Sequence, residues 1–212
     1  MKAFIFDMDG VIIDTEPVHN EIVRGILAKD NIFVTDEEFR KFTGMASTAV
    51  FDIFIKQYNL PHNAQQMSQD QMTTLKEYIV KHQMKPIDGI VPLIKNLHKA
   101  GIPMAIASSS RPDVIKFVAD FFNITDYFKV LISGEDLPHS KPAPDIYLQT
   151  AQKLNVAPAD CVVLEDSING TIAAKSAGMY CIGFANPNSG NQDLSRADII
   201  VNKITDIDIS KL

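Results

Sequence analysis

Lys2-Ala3-Phe4-Ile5-Phe6-Asp7-Met8-Asp9-Gly10-Val11 decides how the rest of the chain is read. Lys2 to Phe6 is a short, almost wholly apolar run, as in a strand covered on both faces of a parallel sheet. It stops in two carboxylates, Asp7 and Asp9, followed by Gly10. Acids placed where an apolar strand ends cost free energy unless a cation neutralises them. In open α/β sheets, ligands gather outside the carboxyl ends of strands. The stretch therefore points to a cation-dependent site on Asp7 and Asp9, and hard oxygen ligands suit Mg²⁺ better than zinc. Asp7 reads as a metal ligand, a nucleophile or both, since a carboxylate attacking phosphorus forms an aspartyl phosphate. Asp9 is then placed to carry a proton to and from the leaving or attacking oxygen. The plain alternative is a surface turn with two solvated acids.

The whole chain sets the frame. Its 212 residues allow one large α/β domain, or a core with a small second domain. A hydrophobic content of 46% suits a packed core. The net charge of −6 argues against a general binder of nucleic acid or anionic membrane, so an anionic substrate must be held by local features. Cys161 and Cys181 lie in apolar runs and read as free buried thiols of a reducing cytosol. There is no zinc-ligand spacing, no signal-peptide pattern and no stretch long enough to span a bilayer. The expected location is cytoplasmic.

After Asp14-Thr15 the periodicity changes from strand to helix. Pro17 suits a first helical turn, and Val18, Ile22 and Ile26 recur at helical spacing. Thr35-x-x-Glu38 has the form of a capping box, and Ser47 is placed to cap the next helix. Residues 16 to 82 thus read as helices without a convincing strand, an insertion suited to a lid, with Thr15 and Met84-Lys85-Pro86 as hinge candidates. Strand–helix alternation then resumes. Strands are expected at Pro103 to Ala107, Val130 to Ile132, Cys161 to Leu164, Tyr180 to Phe184 and Ile199 to Val201. Helices are expected from Ile90 to Ala100, Asp113 to Phe122, Lys141 to Leu154 and Ser167 to Ala177. The fold class is α/β: a Rossmann-like parallel sheet core, residues 1–15 and 83–212, with an inserted all-helical cap domain, residues 16–82.

Polar residues recur where these strands end: Asp7 and Asp9, Ser108-Ser109-Ser110, Lys141 in the loop after Val130 to Ile132, and Glu165-Asp166. A parallel sheet brings all its carboxyl ends to one edge, so these groups can converge. Asp166 would complete a metal shell with Glu165 as neighbour or further ligand. The serines either bind a phosphate through hydroxyl and N–H groups or cap the next helix. Lys141 either neutralises phosphate oxygens and Asp7 or is an exposed loop lysine. Glu165-Asp166 is alternatively a charged turn at a helix N-terminus.

Taken in order, Asp7-Met8-Asp9-Gly10-Val11, Ala107-Ser108-Ser109-Ser110, Ser140-Lys141-Pro142-Ala143-Pro144-Asp145 and Glu165-Asp166-Ser167 resemble the four motifs of the haloacid dehalogenase superfamily. The likeness covers essentially the whole chain and is strongest to the branch of phosphatases and β-phosphoglucomutases, whose helical cap sits where residues 16 to 82 sit here. It implies that Asp7 resembles the phosphorylated nucleophile. Asp9 resembles the acid/base, which also gives its backbone carbonyl to Mg²⁺. Ser108 resembles the phosphate-binding residue, Lys141 the lysine of the third motif, and Glu165 and Asp166 the acidic pair of the fourth.

In the mutases a lid loop carries an arginine three residues after a glycine, gripping the distal phosphate. Here Gly44 is followed by Met45-Ala46-Ser47. Lacking that bidentate clamp, the chain is expected to hydrolyse rather than isomerise. His19 matches a histidine that the mutases carry shortly after the hinge threonine, here Thr15, or is an ordinary polar residue of the first lid helix. The expected activity is that of a Mg²⁺-dependent phosphatase of a small phosphorylated metabolite, a sugar phosphate. Phosphoglucomutase-like isomerisation is the runner-up. A non-enzymatic phospho-acceptor switch stands third, disfavoured by the paired acids on the first strand and by the insertion.

Overall fold

The computed structural model describes residues 1–42, 45–135 and 137–212. The opening apolar run forms β1 (Ala3–Phe6), buried at every position. Among the described residues it belongs to a six-stranded parallel sheet. The other strands are β2 (Met104–Ser108), β3 (Val130–Ser133), β4 (Cys161–Glu165), β5 (Tyr180–Phe184) and β6 (Ile199–Val201). Their spatial order is β3-β2-β1-β4-β5-β6. All five residues of β4 are buried, the apolar run Cys161-Val162-Val163-Leu164 and the Glu165 that ends it.

Among the described residues four helices follow β1: α1 (Glu16–Ala28), α2 (Asp36–Arg40), α3 (Ser47–Tyr58) and α4 (Ala64–Lys81). The capping box forms as expected: the Thr35 hydroxyl accepts from the Glu38 N–H while the Glu38 carboxylate accepts from the Thr35 N–H. The expected cap at Ser47 does not form. Ser47 is already the first helical residue, and Ala46 stands at the N-cap without a side-chain bond. Val23, Leu27, Phe39, Phe51 and Phe54 build an apolar cluster within this helical block. The start of α1 and the end of α4 pack elsewhere: Val18, Met72, Leu75 and Ile79 join the cluster over one face of the sheet.

The helices after the block are α5 (Ile90–Lys99), α6 (Pro112–Phe121), α7 (Asp145–Leu154) and α8 (Ile168–Ser176). Several boundaries differ from expectation, and two of the differences bear on the site. β2 runs one residue further, so Ser108 is its last residue rather than the first of a loop. α7 begins at Asp145, not Lys141, which frees Lys141 for a tertiary contact. The chain leaves and re-enters the sheet side by side: Ile13 bridges to Pro86, and the Ile87 N–H donates to the Ile12 carbonyl at 2.9 Å.

Because Phe51 is fully enclosed by the apolar cluster of the helical block, Phe51→Ala should cost about 3–5 kcal/mol. Urea unfolding followed by circular dichroism measures it.

Candidate active site

β1 sits between β2 and β4, with Phe6 in register with Ile106 on one side and Leu164 on the other. The chain moves outward from β1 to β3, then returns to the opposite side of β1 at β4. That reversal opens a crevice beyond the strand ends, where open α/β sheets bind ligands. The Asp7 N–H donates to the Leu164 carbonyl at 3.0 Å, which sets Asp7 level with Glu165.

Asp7, Glu165 and Asp166 each bring a carboxylate oxygen to within 4.8 Å of the others, and all three residues are buried. Lys141 lies beneath them, only 3% exposed, with Nζ 2.8 Å from Asp7 Oδ1 and 2.6 Å from Glu165 Oε1. It is no exposed loop lysine. Glu165 is held from both ends. Oε1 also accepts from the Tyr147 hydroxyl at 2.9 Å, and Oε2 accepts from the Asp166 N–H, the Ser167 N–H and the Ser167 hydroxyl.

The charge balance is uneven: three carboxylates face one ammonium. Burial opposes charge on every member. At Lys141 the fields of Asp7 and Glu165 overcome burial and push its pKa up. At Glu165, Lys141 and the donors overcome burial and pull the pKa down. Asp7 takes up the imbalance. Burial raises it well above the usual carboxylate range, Glu165 and Asp9 add to this, and Lys141 only partly offsets them. Negative charge is therefore least favourable at Asp7. An all-oxygen, over-charged buried set of this kind fits a hard divalent cation.

Two glycines make room for it. A Cβ on Gly10, whose φ is +77°, would lie 1.9 Å from Asp166 Oδ2. A Cβ on Gly170 would lie 1.6 Å from Glu165 Oε1. The loop after β5 closes the far side: Asn186 donates to the Gly10 carbonyl at 2.9 Å, and the Ser189 hydroxyl donates to Asp166 Oδ2.

Asp9 has different company. Its Oδ1 accepts from the Thr15 hydroxyl at 2.5 Å and meets His19 Nε2 at 3.1 Å. Its Oδ2 accepts from the Ser108 hydroxyl at 3.2 Å and the Ser110 hydroxyl at 2.8 Å. Burial alone would raise its pKa, but hydrogen bonds from His19, Thr15 and Ser110 together with the His19 charge bring it down to about 2. The side chain thus faces donors, while Asp7 faces acids and a lysine.

A pocket between the sheet rim and the helical block is lined by part of the expected set; Ser108, Lys141 and Glu165 are buried and are not among its lining residues. Asp7, Asp9, Ser109, Ser110 and Asp166 line it from the rim. His19 and Ser47 line it from the block, joined by Gln71 of α4. Gly44 lies outside the described residues. The serines do not cap α6, whose N-cap is Arg111 with no side-chain bond; Ser108 instead accepts from the Ser110 N–H at 3.0 Å. Four contributors escaped the motif reading. Thr15, read only as a hinge, bonds Asp9; Tyr147 and Ser189 hold the acids; Gln71 touches His19. Gln71 did leave a trace: it interrupts the buried stripe Met67, Leu75, Ile79 at four-residue spacing.

Comparison with known proteins gives a consistent set. A family model described as haloacid dehalogenase-like hydrolase matches residues 1–178. Hexitol phosphatase B of Escherichia coli is 30% identical over 97% of this chain and 93% of its own length. The bifunctional riboflavin kinase/FMN phosphatase of Arabidopsis thaliana is 29% identical over 99% of this chain, which spans 55% of that protein. The crystal structure of β-phosphoglucomutase from Clostridium difficile superposes with a TM-score of 0.87 at 25% identity, covering all of this chain and 95% of that one.

Gly170→Ala should push the Glu165 carboxylate off its donors and break its pair with Lys141. A loss of about 3–5 kcal/mol, the range for breaking a buried pair, is expected in equilibrium urea unfolding.

Proposed function

The chain is an enzyme of the haloacid dehalogenase-like hydrolase family that acts on phosphate esters, and from that premise we propose a Mg²⁺-dependent phosphatase of a small sugar or polyol phosphate, working through an aspartyl phosphate on Asp7. The observation that carries the reading is the division between the two acids of the first loop. Asp7 lies in the buried cluster with Lys141, while Asp9 is turned to hydroxyls and His19. One is equipped to attack, the other to handle protons.

In the first half-reaction a carboxylate oxygen of Asp7 attacks phosphorus and the bond to the alcohol oxygen breaks. Asp9, protonated for this step, gives that oxygen its proton. In the second, Asp9 takes a proton from water, which attacks the acyl phosphate, releases inorganic phosphate and restores Asp7. Lys141 neutralises charge gathering on the phosphoryl oxygens. Glu165, with both oxygens engaged, anchors Lys141 and the loop to α8. Asp7 and Asp166, with the Asp9 carbonyl, are the residues that would hold Mg²⁺, which lowers the charge repulsion between nucleophile and substrate. Glu165 stands beside them. The ligand-free enzyme holds Asp9 in its basic form. A phosphate taking over the Ser108 and Ser110 hydroxyls removes two of its four donors and adds negative charge, and both changes favour proton uptake.

The helical block acts as the cap, residues 16–82 over the core of residues 1–15 and 83–212, and its pocket face receives the alcohol. The hexitol phosphatase likeness supports a polyol or sugar there. The mutase likeness supports a second reading, return of the phosphoryl group to a sugar. Against it stands Ser47 on the pocket wall three residues after Gly44, where that reaction needs a cationic clamp.

Three outcomes are expected on a panel of hexitol, hexose and pentose phosphates. Chelation abolishes turnover and Mg²⁺ restores it. Asp7→Asn leaves no turnover and no acid-stable, hydroxylamine-labile phosphoprotein; retained turnover in deamidation-free protein rejects the nucleophile. Asp9→Asn lowers kcat by about 10²–10⁴. With β-glucose 1-phosphate and a trace of the bisphosphate, free phosphate should exceed glucose 6-phosphate; the reverse ratio favours the mutase.

A further inference from the structure

The wall of the pocket changes character with distance from the rim. α1 starts at the rim, where Thr15 at its N-cap bonds Asp9. Its first lining residues, His19 and Asn20, are polar; Val23, four residues after His19 and about 6 Å further along the helix, is apolar. α3 repeats the pattern. Its start is fastened to the core, where the Thr48 hydroxyl donates to Glu135 Oε1 at 2.7 Å. Ser47 lines the pocket at that end, and Val50 lines it three residues later. Phe39 of α2, with Phe42 and Met45 between α2 and α3, completes the far wall. Val23, Phe39 and Val50 belong to the apolar cluster of the helical block, and Phe42 and Met45 pack against it. The cavity thus opens from carboxylates and hydroxyls onto the apolar interior of the block.

We propose that this wall selects phosphate monoesters whose alcohol ends, at the point remote from phosphorus, in an uncharged apolar group: a methyl terminus in preference to a hydroxymethyl, with a carboxylate rejected. The inference deepens the reading of the site as a sugar or polyol phosphatase and rests on it. A packed core leaves few voids beside its side chains, so apolar faces left open beside a catalytic rim gain by being covered with ligand. A hydroxyl carried to the far wall gives up water and finds no partner among Val23, Phe39 and Val50. Hydroxyls nearer the phosphate pass the polar level of His19, Asn20 and Ser47 instead.

A second anionic group fares worst. It would lose its hydration against the same apolar side chains, in a pocket whose opposite side carries Asp7, Asp9 and Asp166. Arg24, next to Val23 in the chain, spends its guanidinium elsewhere: Nε donates to the Val34 carbonyl at 3.1 Å, and the other end pairs with Asp36. Among the described residues that line the pocket there is no lysine or arginine.

The test uses three esters that differ only at the end remote from phosphorus. Glucitol 6-phosphate carries a hydroxymethyl there, 1-deoxyglucitol 6-phosphate a methyl, and gluconate 6-phosphate a carboxylate. With Mg²⁺ present, kcat/KM should be about tenfold higher for the methyl than for the hydroxymethyl ester, within the discrimination an apolar pocket achieves. For the carboxylate it should be lower than for the hydroxymethyl by about a hundredfold or more. Each ester is also run as a competitive inhibitor of p-nitrophenyl phosphate hydrolysis, so that the order is read from inhibition constants where turnover is slow. Val23→Thr and Val50→Thr, which put a hydroxyl in place of a methyl, should each cut the methyl preference by about threefold or more. Equal values for the methyl and hydroxymethyl esters overturn the proposal, as does a preference unmoved in both valine variants, and so does a carboxylate accepted as well as the hydroxymethyl. Failure of the phosphatase reading looks different: no ester releases phosphate. The order is then measured as binding by calorimetry, where a missing methyl preference still overturns the inference and a tenfold one sustains it.

Discussion

The structure depends on one buried contact, the ammonium of Lys141 held between Asp7 and Glu165. Bringing these charges out of water costs several kcal/mol per ion, and the fold recovers it by crowding donors around Glu165. Five groups from three segments meet on that one carboxylate. The arrangement ties the loop before α7 to the end of β4 and the start of α8. Lys141 is thereby fixed under Asp7 before any ligand arrives, and a group that is already in place costs no reorganisation when charge develops. The imbalance that remains, three acids to one base, leaves the rim short of a closed ion-pair network.

Two acids two residues apart end with different neighbours because β1 ends at Phe6 and the chain turns as it leaves the strand. Asp7 still bonds in register with β4. Asp9 already belongs to the turn that continues through Gly10, where the positive φ turns the chain back. Had the strand run on, residues two apart would share a face, and both carboxylates would crowd the same cation. The turn sends Asp9 toward Thr15 and His19 instead. Thr15 stands at the N-cap of α1 but makes no side-chain cap bond; its hydroxyl goes to Asp9. Helix stability is given up locally in favour of the site.

The sheet was legible because each strand is a short apolar run bounded by a polar or turn residue, and parallel pairing then sends every carboxyl end to one edge. Asp7, Asp9, Ser108, Lys141, Glu165 and Asp166 could be collected from that rule alone. What the rule could not supply is direction. Nothing in the letters says that Glu165 spends both oxygens on protein donors while Asp166, its neighbour, faces the cluster. Nor does spacing reveal Tyr147 or Ser189, whose roles come from tertiary packing across elements. The helical block was legible as helices from periodicity. The inward-facing Gln71 showed only as a break in an apolar stripe, a signal that buried polar residues of any role would leave. A serine before an apolar helix is a common start, yet here the helix begins one residue earlier and takes Ser47 in as its first residue.

The glycines draw a map of where this enzyme can be made sturdier by chemistry as small as one methyl group. At Gly10 and Gly170 the volume a methyl would take is already filled by carboxylate oxygen, so the rim is closed to such change. Gly25, within α1, meets nothing within 4 Å. Alanine there would stiffen the unfolded chain and favour the helix by about 0.5–1 kcal/mol. An engineer seeking heat tolerance would therefore work outward from the exposed face of α1 and leave the rim untouched.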